Sequence, residues 1–442
     1  MKLEVFAPVQ WLQEALSQTD FITLNGKVEK IIGLTIESAG PEVFLGEVCV
    51  IRNLGGARIL CEVVGFKDNR IILMPLEEFE GVSLGCPVSG TKHTLDVGVG
   101  EDMLSRVFDG IGRPIDGKPF FPKSYVSLNN SPPNPLVRAR IKEPLPVGVR
   151  AIDAFTTLGQ GQRIGIFSGS GVGKSTTMGM IARNTRADVN VIGLIGERGR
   201  EVREFIERDL GEEGLRRSTV VVSTSDQPAL MRVKALYTST SIAEYFRDRG
   251  LNVMLMVDSL TRWSMAQREL GLAIGEPPTT RGYPPSVFAG LPKVLERAGN
   301  SDKGSITGIY TVLVEGDDFN EPISDTVRGI VDGHIILSRK LAEGNHFPAI
   351  DVLASISRLM PEVADKEHLK AARTLKDLIS TYYGAKDLID VGAYKEGSDT
   401  KIDQAKKYIL TINGFLRQEV SDKAVFEETL EKLKKILQTI QS

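Results

Sequence analysis

Residues 164–176 read IGIFSGSGVGKST: an apolar run enters a glycine-dense turn and leaves it through Lys174 and Ser175. A lysine and a hydroxyl at the end of such a turn are groups that grip phosphate. Gly169, Gly171 and Gly173 let backbone N–H groups turn inward where a Cβ would obstruct them. A helix that starts here adds the positive end of its dipole. The stretch Ser168, Gly169, Ser170, Gly171, Val172, Gly173, Lys174, Ser175 and Thr176 is therefore the expected nucleotide-binding loop. Lys174 would reach the outer phosphates, and the Ser175 hydroxyl would hold Mg²⁺. The general pattern has Gly where this chain has Ser168, so one position departs from it.

Two carboxylates extend the set. NVMLMVD ends an apolar run at Asp258, which a buried strand would deliver to the sheet edge where ligands collect. There it would hold the magnesium through water, or it would simply cap the next helix. In IGERGREVREF, Glu197 closes another apolar run, 23 residues after Lys174. A carboxylate there would orient or deprotonate the water that attacks a terminal phosphate. Equally, it would sit in a helix first turn and interact with the dipole; spacing leaves both roles open. Arg198 and Arg262 are nearby candidates for stabilising charge on the transferring group.

The elements that must position these groups fall into three parts, matching the length of 442 residues. From about Thr23 to Pro87, short runs rich in Val, Ile and Leu (KIIGLTIES, EVCVIRN, ARILCEVVGF, NRIILMPL) predict a small β-barrel. Before it, Leu3, Phe6, Trp11, Leu12 and Leu16 have loosely helical spacing after Pro8, a packed terminus or a partner-docking segment. NNSPPNPLVRARIKEPLP, 129–146, holds five prolines and reads as an extended connector. After it, QRIGIF, VNVIGLIG, TVVVST and NVMLMVD alternate with helical stretches, the pattern of a parallel sheet covered on both faces. From about Asp365 the chain is charged and helical, with Leu430, Leu433, Leu437 and Ile440 forming one apolar stripe. The expected divisions are 1–20, 21–90, 91–364 and 365–442.

A net charge of -3 and an ordinary 25 % of charged residues exclude a basic field that would draw the chain to nucleic acid. Three cysteines with no CxxC spacing and four scattered histidines predict neither a disulfide framework nor a zinc site. With no secretory leader and no run near ~18 apolar residues, a soluble cytoplasmic protein is expected.

The order of motifs is similar to the hexameric ATPases of type III protein export, in particular the flagellar branch, which are relatives of the rotary ATP synthase catalytic β subunit. RVFDGIGRPIDG, GVRAIDAFTTLGQGQRIGIFSGSGVGKST, IGERGREVREFIERDL, TSDQPALMRVKA, DSLTRWSMAQRELGLAIGEPPTTRGYPPSVF, KGSITGIYTVLVEGDDFNEP and NHFPAIDVLASISRLMP carry the resemblance over nearly the whole chain. The export branch commonly has a small residue in the place of Ser168. The resemblance implies a β-barrel ring, a RecA-like α/β P-loop core and a helical C-terminal domain. It implies Mg²⁺-dependent hydrolysis of ATP, with Glu197 as catalytic carboxylate and Arg198 and Arg262 near the γ-phosphate. It also implies that Arg358 is an arginine finger inserted into a neighbouring subunit's site, and that Phe347 lies beside adenine. IGEPPTTRGYPPS, 274–286, resembles the loop that lines the ring's bore. The implied partners are further copies of the chain as a homohexamer, a coiled-coil stalk protein, a stator-like regulator at the N-terminus, and the export gate with its substrates and chaperones. The implied place is the cytoplasmic face of the export apparatus, peripheral to the membrane, where hydrolysis drives delivery or unfolding of export substrates.

A virulence-secretion ATPase shares most of these motifs. A non-catalytic nucleotide-binding ring subunit would have lost part of the set Lys174, Ser175, Asp258 and Glu197, all of which are present. A nucleic-acid motor would favour a basic chain with more than the 6 % aromatics found here.

Overall fold

The computed structural model describes residues 25–314 and 318–441; the helical spacing read at Leu3–Leu16 lies outside them. The chain divides into two compact units, Met1–Leu95 and Asp96–Ser442.

In the first unit β1 (Gly26–Ile32), β2 (Thr35–Ala39), β3 (Glu47–Arg52), β4 (Arg58–Lys67), β5 (Arg70–Pro75) and β6 (Pro87–Thr94) close into a barrel in the order β1-β2-β5-β4-β3-β6. Neighbouring strands are antiparallel throughout. Alternating side chains point inward, so Val28, Ile36, Ile51, Val63, Leu73 and Val88 fill the interior together with Cys49, Cys61 and Cys86. The cysteines serve there as small apolar side chains; burial pushes the Cys49 thiol up to about 12, which keeps it protonated and inert.

The second unit is built on a nine-stranded sheet. Its path runs β17 (Ile350–Ser357), β16 (Gly333–Leu337), β10 (Arg163–Ser168), β15 (Ser305–Leu313), β13 (Asn252–Asp258), β11 (Val189–Ile195), β12 (Ser218–Ser223) and β8 (Arg106–Asp109). The short β14 (Gly299–Asn300) pairs with β15, while β7 (Asp96–Val99) and β9 (Ser124–Ser127) form a separate hairpin-like pair. From β16 to β8 the path is parallel, and β17 is antiparallel to β16. Both faces are covered, which explains the continuous apolar runs. On one face Ile164, Ile166, Ile192, Leu194, Met254 and Met256 pack with Met178 and Ile181 of helix Lys174–Asn184. Leu375, Ile409 and Leu433 of the C-terminal helices extend the same core. Helix Ala229–Arg247 covers the other face and is buried nearly all round.

The C-terminal helices are Lys366–Asp390, Thr400–Leu416 and Phe426–Gln441. Asp365 caps the first by accepting from His368 N–H at 2.7 Å, and Asp399 caps the second. Buried His368 makes a 2.8 Å contact through Nε2 with the Ala154 carbonyl, fastening the helical part to the core.

Residues 129–146 contain no helix or strand, and one buried ion pair fixes where this connector starts. Arg297 donates from Nε and Nη2 to both oxygens of Glu244, at 2.9 and 2.6 Å, and from Nη1 to the Leu128 carbonyl at 2.8 Å. Asn130 completes the carboxylate at 3.0 Å. The two charged side chains are 1 % and 4 % exposed, so neither finds water if its partner is lost. Glu244→Ala is therefore expected to destabilise the fold by about 3–5 kcal/mol, read as a lowered urea midpoint, whereas replacing both partners by apolar residues of similar volume should recover much of the loss. A midpoint unchanged in Glu244→Ala would show that the pair contributes nothing.

Candidate active site

The C-terminal ends of β10, β11, β13 and β15 lie along one edge of the sheet, with Leu194 opposite Asp258 and Ser168 opposite Leu313. The phosphate loop leaves β10 there and feeds helix Lys174–Asn184. Gly171 and Gly173 have φ of +78° and +89°, the left-handed region that side chains disfavour. Gly173 offers the helix no side-chain cap and no acid follows in the first turn, so its leading N–H groups remain for an anionic ligand. Val172 is buried in the core, and only its backbone is left for the loop.

A cleft of about 660 Å³ opens above this edge. Gly169, Ser170, Gly171, Gly173, Lys174, Ser175 and Thr176 line one side, and Glu197, Arg198 and Arg262 face them. Lys174 Nζ bonds Asp258 Oδ1 and sits 3.5 Å from Glu197 Oε1. All three side chains are mostly buried: 12 %, 4 % and 12 % exposed for Lys174, Asp258 and Glu197. Burial opposes the lysine's charge, but the two carboxylates outweigh it and raise its pKa. Glu197 is pushed up to about 7, first by burial and then by the charges of Asp258 and Glu201, against the pull of Lys174.

Both capping alternatives left open by the sequence go to other residues. Ser259 caps helix Leu260–Ala273, its Oγ accepting from Arg262 N–H at 3.3 Å. Arg198 is the cap residue of helix Gly199–Glu204, and Glu201 is the acid of its first turn. The helical path then passes through a π-helical stretch, Phe205–Leu210.

Arg262 is held against Gly196, where a Cβ would come 2.8 Å from Arg262 Cβ. Its Nε is buried without a hydrogen-bond partner, as is the Ser168 hydroxyl at the foot of the loop. Arg198 is largely exposed, 3.6 Å from Glu201. Phe347 lies beside the loop, 3.9 Å from where a Cβ on Gly173 would stand, and its ring is 42 % exposed.

Arg358 is the exception. Ser357 pairs with Gly333 at the start of β16, whereas Ser168 pairs with Leu337 at its end. Four residues along a strand are about 13 Å. Arg358 thus stands at the opposite end of the sheet from its own phosphate loop. There its N–H donates to the Asp332 carbonyl at 3.0 Å, and its Nη2 is 3.5 Å from the Arg328 carbonyl.

Four site neighbours were missed. Thr311 donates to Asp258 Oδ1 at 2.7 Å, a polar residue inside the apolar run of β15 that could have been singled out. Glu201, Arg208 and Arg339 line the cleft; only Glu201, one helical turn after Glu197, carried a usable signal.

The arrangement suits a magnesium nucleotide. Mg²⁺ keeps much of its water and takes one or two protein oxygens beside those of phosphate; Ser175 and Asp258 offer such a pair on the cleft and below it. A glycine cradle at a helix start, a buried lysine and strand-end carboxylates on a parallel sheet define a P-loop nucleotide-binding protein.

Comparison with known proteins narrows the class. The chain matches the ATP synthase alpha/beta family, nucleotide-binding domain, over residues 148–357, and that family's beta-barrel domain over 28–92. Residues 364–435 match the T3SS EscN ATPase C-terminal domain. A flagellum-specific ATP synthase of Bacillus subtilis is 56 % identical over 425 residues, covering 95 % of this chain and 97 % of the relative. A type 3 secretion system ATPase of Xanthomonas euvesicatoria is 52 % identical over 410 residues, covering 92 % and 93 %. The assembled ATPase EscN of the enteropathogenic E. coli type III secretion system superposes with a TM-score of 0.88 at 47 % identity, covering 93 % of this chain and 100 % of that one. EscN in complex with its central stalk EscO gives 0.87 at the same identity. The chain belongs to the ATP synthase alpha/beta family and, within it, to the type III export ATPases, with their RecA-like core between a β-barrel and a helical C-terminal domain.

Proposed function

We propose that this export ATPase serves the flagellar pathway and cleaves ATP in a homohexameric ring whose active sites are completed by neighbouring copies. The observation that carries the reading is the convergence of Lys174, Glu197 and Asp258 under the phosphate loop, with Arg358 at the far end of the sheet. The loop N–H groups and Lys174 bind the β- and γ-phosphates, Lys174 exchanging its carboxylate partners for phosphate oxygens. Ser175, and Asp258 through water, hold the magnesium, which neutralises charge on the phosphates when bound. Glu197 orients the attacking water and accepts its proton. Arg262 and Arg198 stabilise charge on the transferring group, and Arg358 reaches the γ-phosphate of the adjoining subunit. Phe347 flanks the adenine.

The likeness to EscN with its stalk supports a coiled-coil partner in the ring's bore. Loop 274–286 would meet it: one 3₁₀ turn, Thr280–Gly282, pinned by Arg281 to Asp318 at 3.1 Å. Residues 1–20 would take the stator-like regulator, 21–90 form the ring's barrel, 91–364 carry catalysis with 129–146 as connector, and 365–442 face the gate, substrates and chaperones. Among the described residues no helix is long and apolar enough to cross a membrane, and a peripheral place at the cytoplasmic face of the export apparatus fits that.

The test is Mg²⁺-dependent phosphate release from ATP across pH. A water-positioning carboxylate must be ionised, and kcat/KM reports the free enzyme. With Glu197 pushed up to about 7, kcat/KM is expected to be level at higher pH and to fall roughly tenfold per unit below about 7. A flat profile down to about pH 5.5 would contradict this role for Glu197, and ATP binding without turnover at any pH would contradict the enzyme reading itself.

A further inference from the structure

Gln418 follows helix Thr400–Leu416 and is 5 % exposed. Its backbone N–H donates to the Phe347 carbonyl at 3.0 Å. Its side-chain Oε1 accepts from Arg150 N–H at 2.8 Å, and Nε2 donates to the carbonyls of Gly148 and Asp422 at 2.9 and 3.0 Å. An N–H on one side and two carbonyls on the other fix which end of the amide faces which partner. Gly148 has φ +70°, and a Cβ there would fall 2.3 Å from Asn184 Cβ, so its backbone presses on the last residue of the phosphate-loop helix. From the same turn Arg183 donates to the Val420 carbonyl at 2.8 Å. At the other end of that helix, Phe347 rests beside Gly173.

These contacts form a closed circuit: the helix start, Phe347, Gln418, Gly148 and the helix end. Gln418 is the one side chain in it that touches three separated segments at once, and a buried amide with every polar group paired is a rigid joint. Phe347 and Val420 stand on the circuit as apolar side chains, 42 % and 45 % exposed, where a flat ring can stack. None of the hydrogen bonds of Gln418 reaches Lys174, Glu197 or Asp258.

We propose that Gln418 is a positioning residue that holds the base-side wall, Phe347 and the segment after residue 417, at a fixed distance from the phosphate loop. It thereby sets affinity and selectivity for the nucleobase without acting on phosphate. The inference rests on the reading of Phe347 as the base contact.

The test uses the full chain with two probes, ATP and inorganic tripolyphosphate, which has the phosphates and no base. Gln418→Ala, and Gln418→Met as a variant that keeps the volume, are expected to raise KM for ATP about tenfold while kcat stays within about threefold. Inhibition by tripolyphosphate should be unchanged, and the preference for ATP over UTP should narrow. Combined with Phe347→Ala, Gln418→Ala should add less than about twofold, because both act through one wall. Equal loss of ATP and tripolyphosphate affinity, a fall in kcat alone, or full additivity with Phe347→Ala would overturn the proposal. Failure of both Gln418 variants to fold would overturn it too, by making the residue one of the fold alone. A wild-type chain that does not cleave ATP would instead defeat the site reading on which the inference rests.

Discussion

Glu197→Gln is expected to bind ATP as tightly as the wild type and to cleave it about 10²–10⁴ times more slowly. Glutamine keeps the shape and a hydrogen bond to water but takes no proton. Lys174 keeps Asp258 as its partner, and Thr311 still anchors that aspartate, so the phosphate side of the cleft is undisturbed. Loss of fold is not the cause, by a sign that can be checked. The folded pKa of Glu197, about 7, lies above its model value of 4.5. The stability this carboxyl contributes is fully present below that ordinary value and is lost as pH rises through about 7. An uncharged amide removes that loss, so at pH 8 the variant should melt no lower than the wild type. A variant with kcat within threefold of the wild type would remove Glu197 from the chemistry.

Arg358→Ala should cost about 10³-fold or more in turnover, the scale of an arginine finger, without weakening ATP binding by the same chain. Position alone argues this. β17 runs antiparallel to the rest of the sheet and carries Arg358 away from the phosphate loop. Mixing Arg358→Ala with Glu197→Gln separates a group acting on its own site from one acting on a neighbour's. Each is silent alone. In mixed rings with head-to-tail interfaces, roughly a quarter of the interfaces at equal mixing pair an intact Glu197 with an intact Arg358. Recovery of a matching fraction of activity is expected, and no recovery on mixing would place Arg358 outside the neighbour's site.

The phosphate loop was legible because its chemistry is local: glycine, lysine and serine within a few positions, between a strand and a helix. Asp258 and Glu197 were legible as strand ends, since an apolar run that stops at a carboxylate has few other readings in a parallel sheet. The choice between catalysis and capping at Glu197 was not, because it depends on which residue begins the helix. Arg198 takes that place. Thr311 and Gln418 were hidden for another reason. Their partners lie 53 and up to 270 residues away, and a buried threonine or glutamine looks the same in sequence whether or not it holds a site. The Glu244–Arg297 pair is of the same kind: two ordinary charges on paper, buried together only by the packing of a helix on a sheet. The position of Arg358 needed the direction of one strand, which residue types do not state.

The central claim is that catalysis belongs to the assembled ring. Phosphate release per chain, measured with saturating Mg²⁺ and ATP over a dilution series with the oligomeric state followed in the same samples, tests it most directly. Activity per chain is predicted to rise with concentration as rings form and to level off once they are complete. Dilute monomer that hydrolyses ATP as fast per chain as the concentrated protein would contradict it.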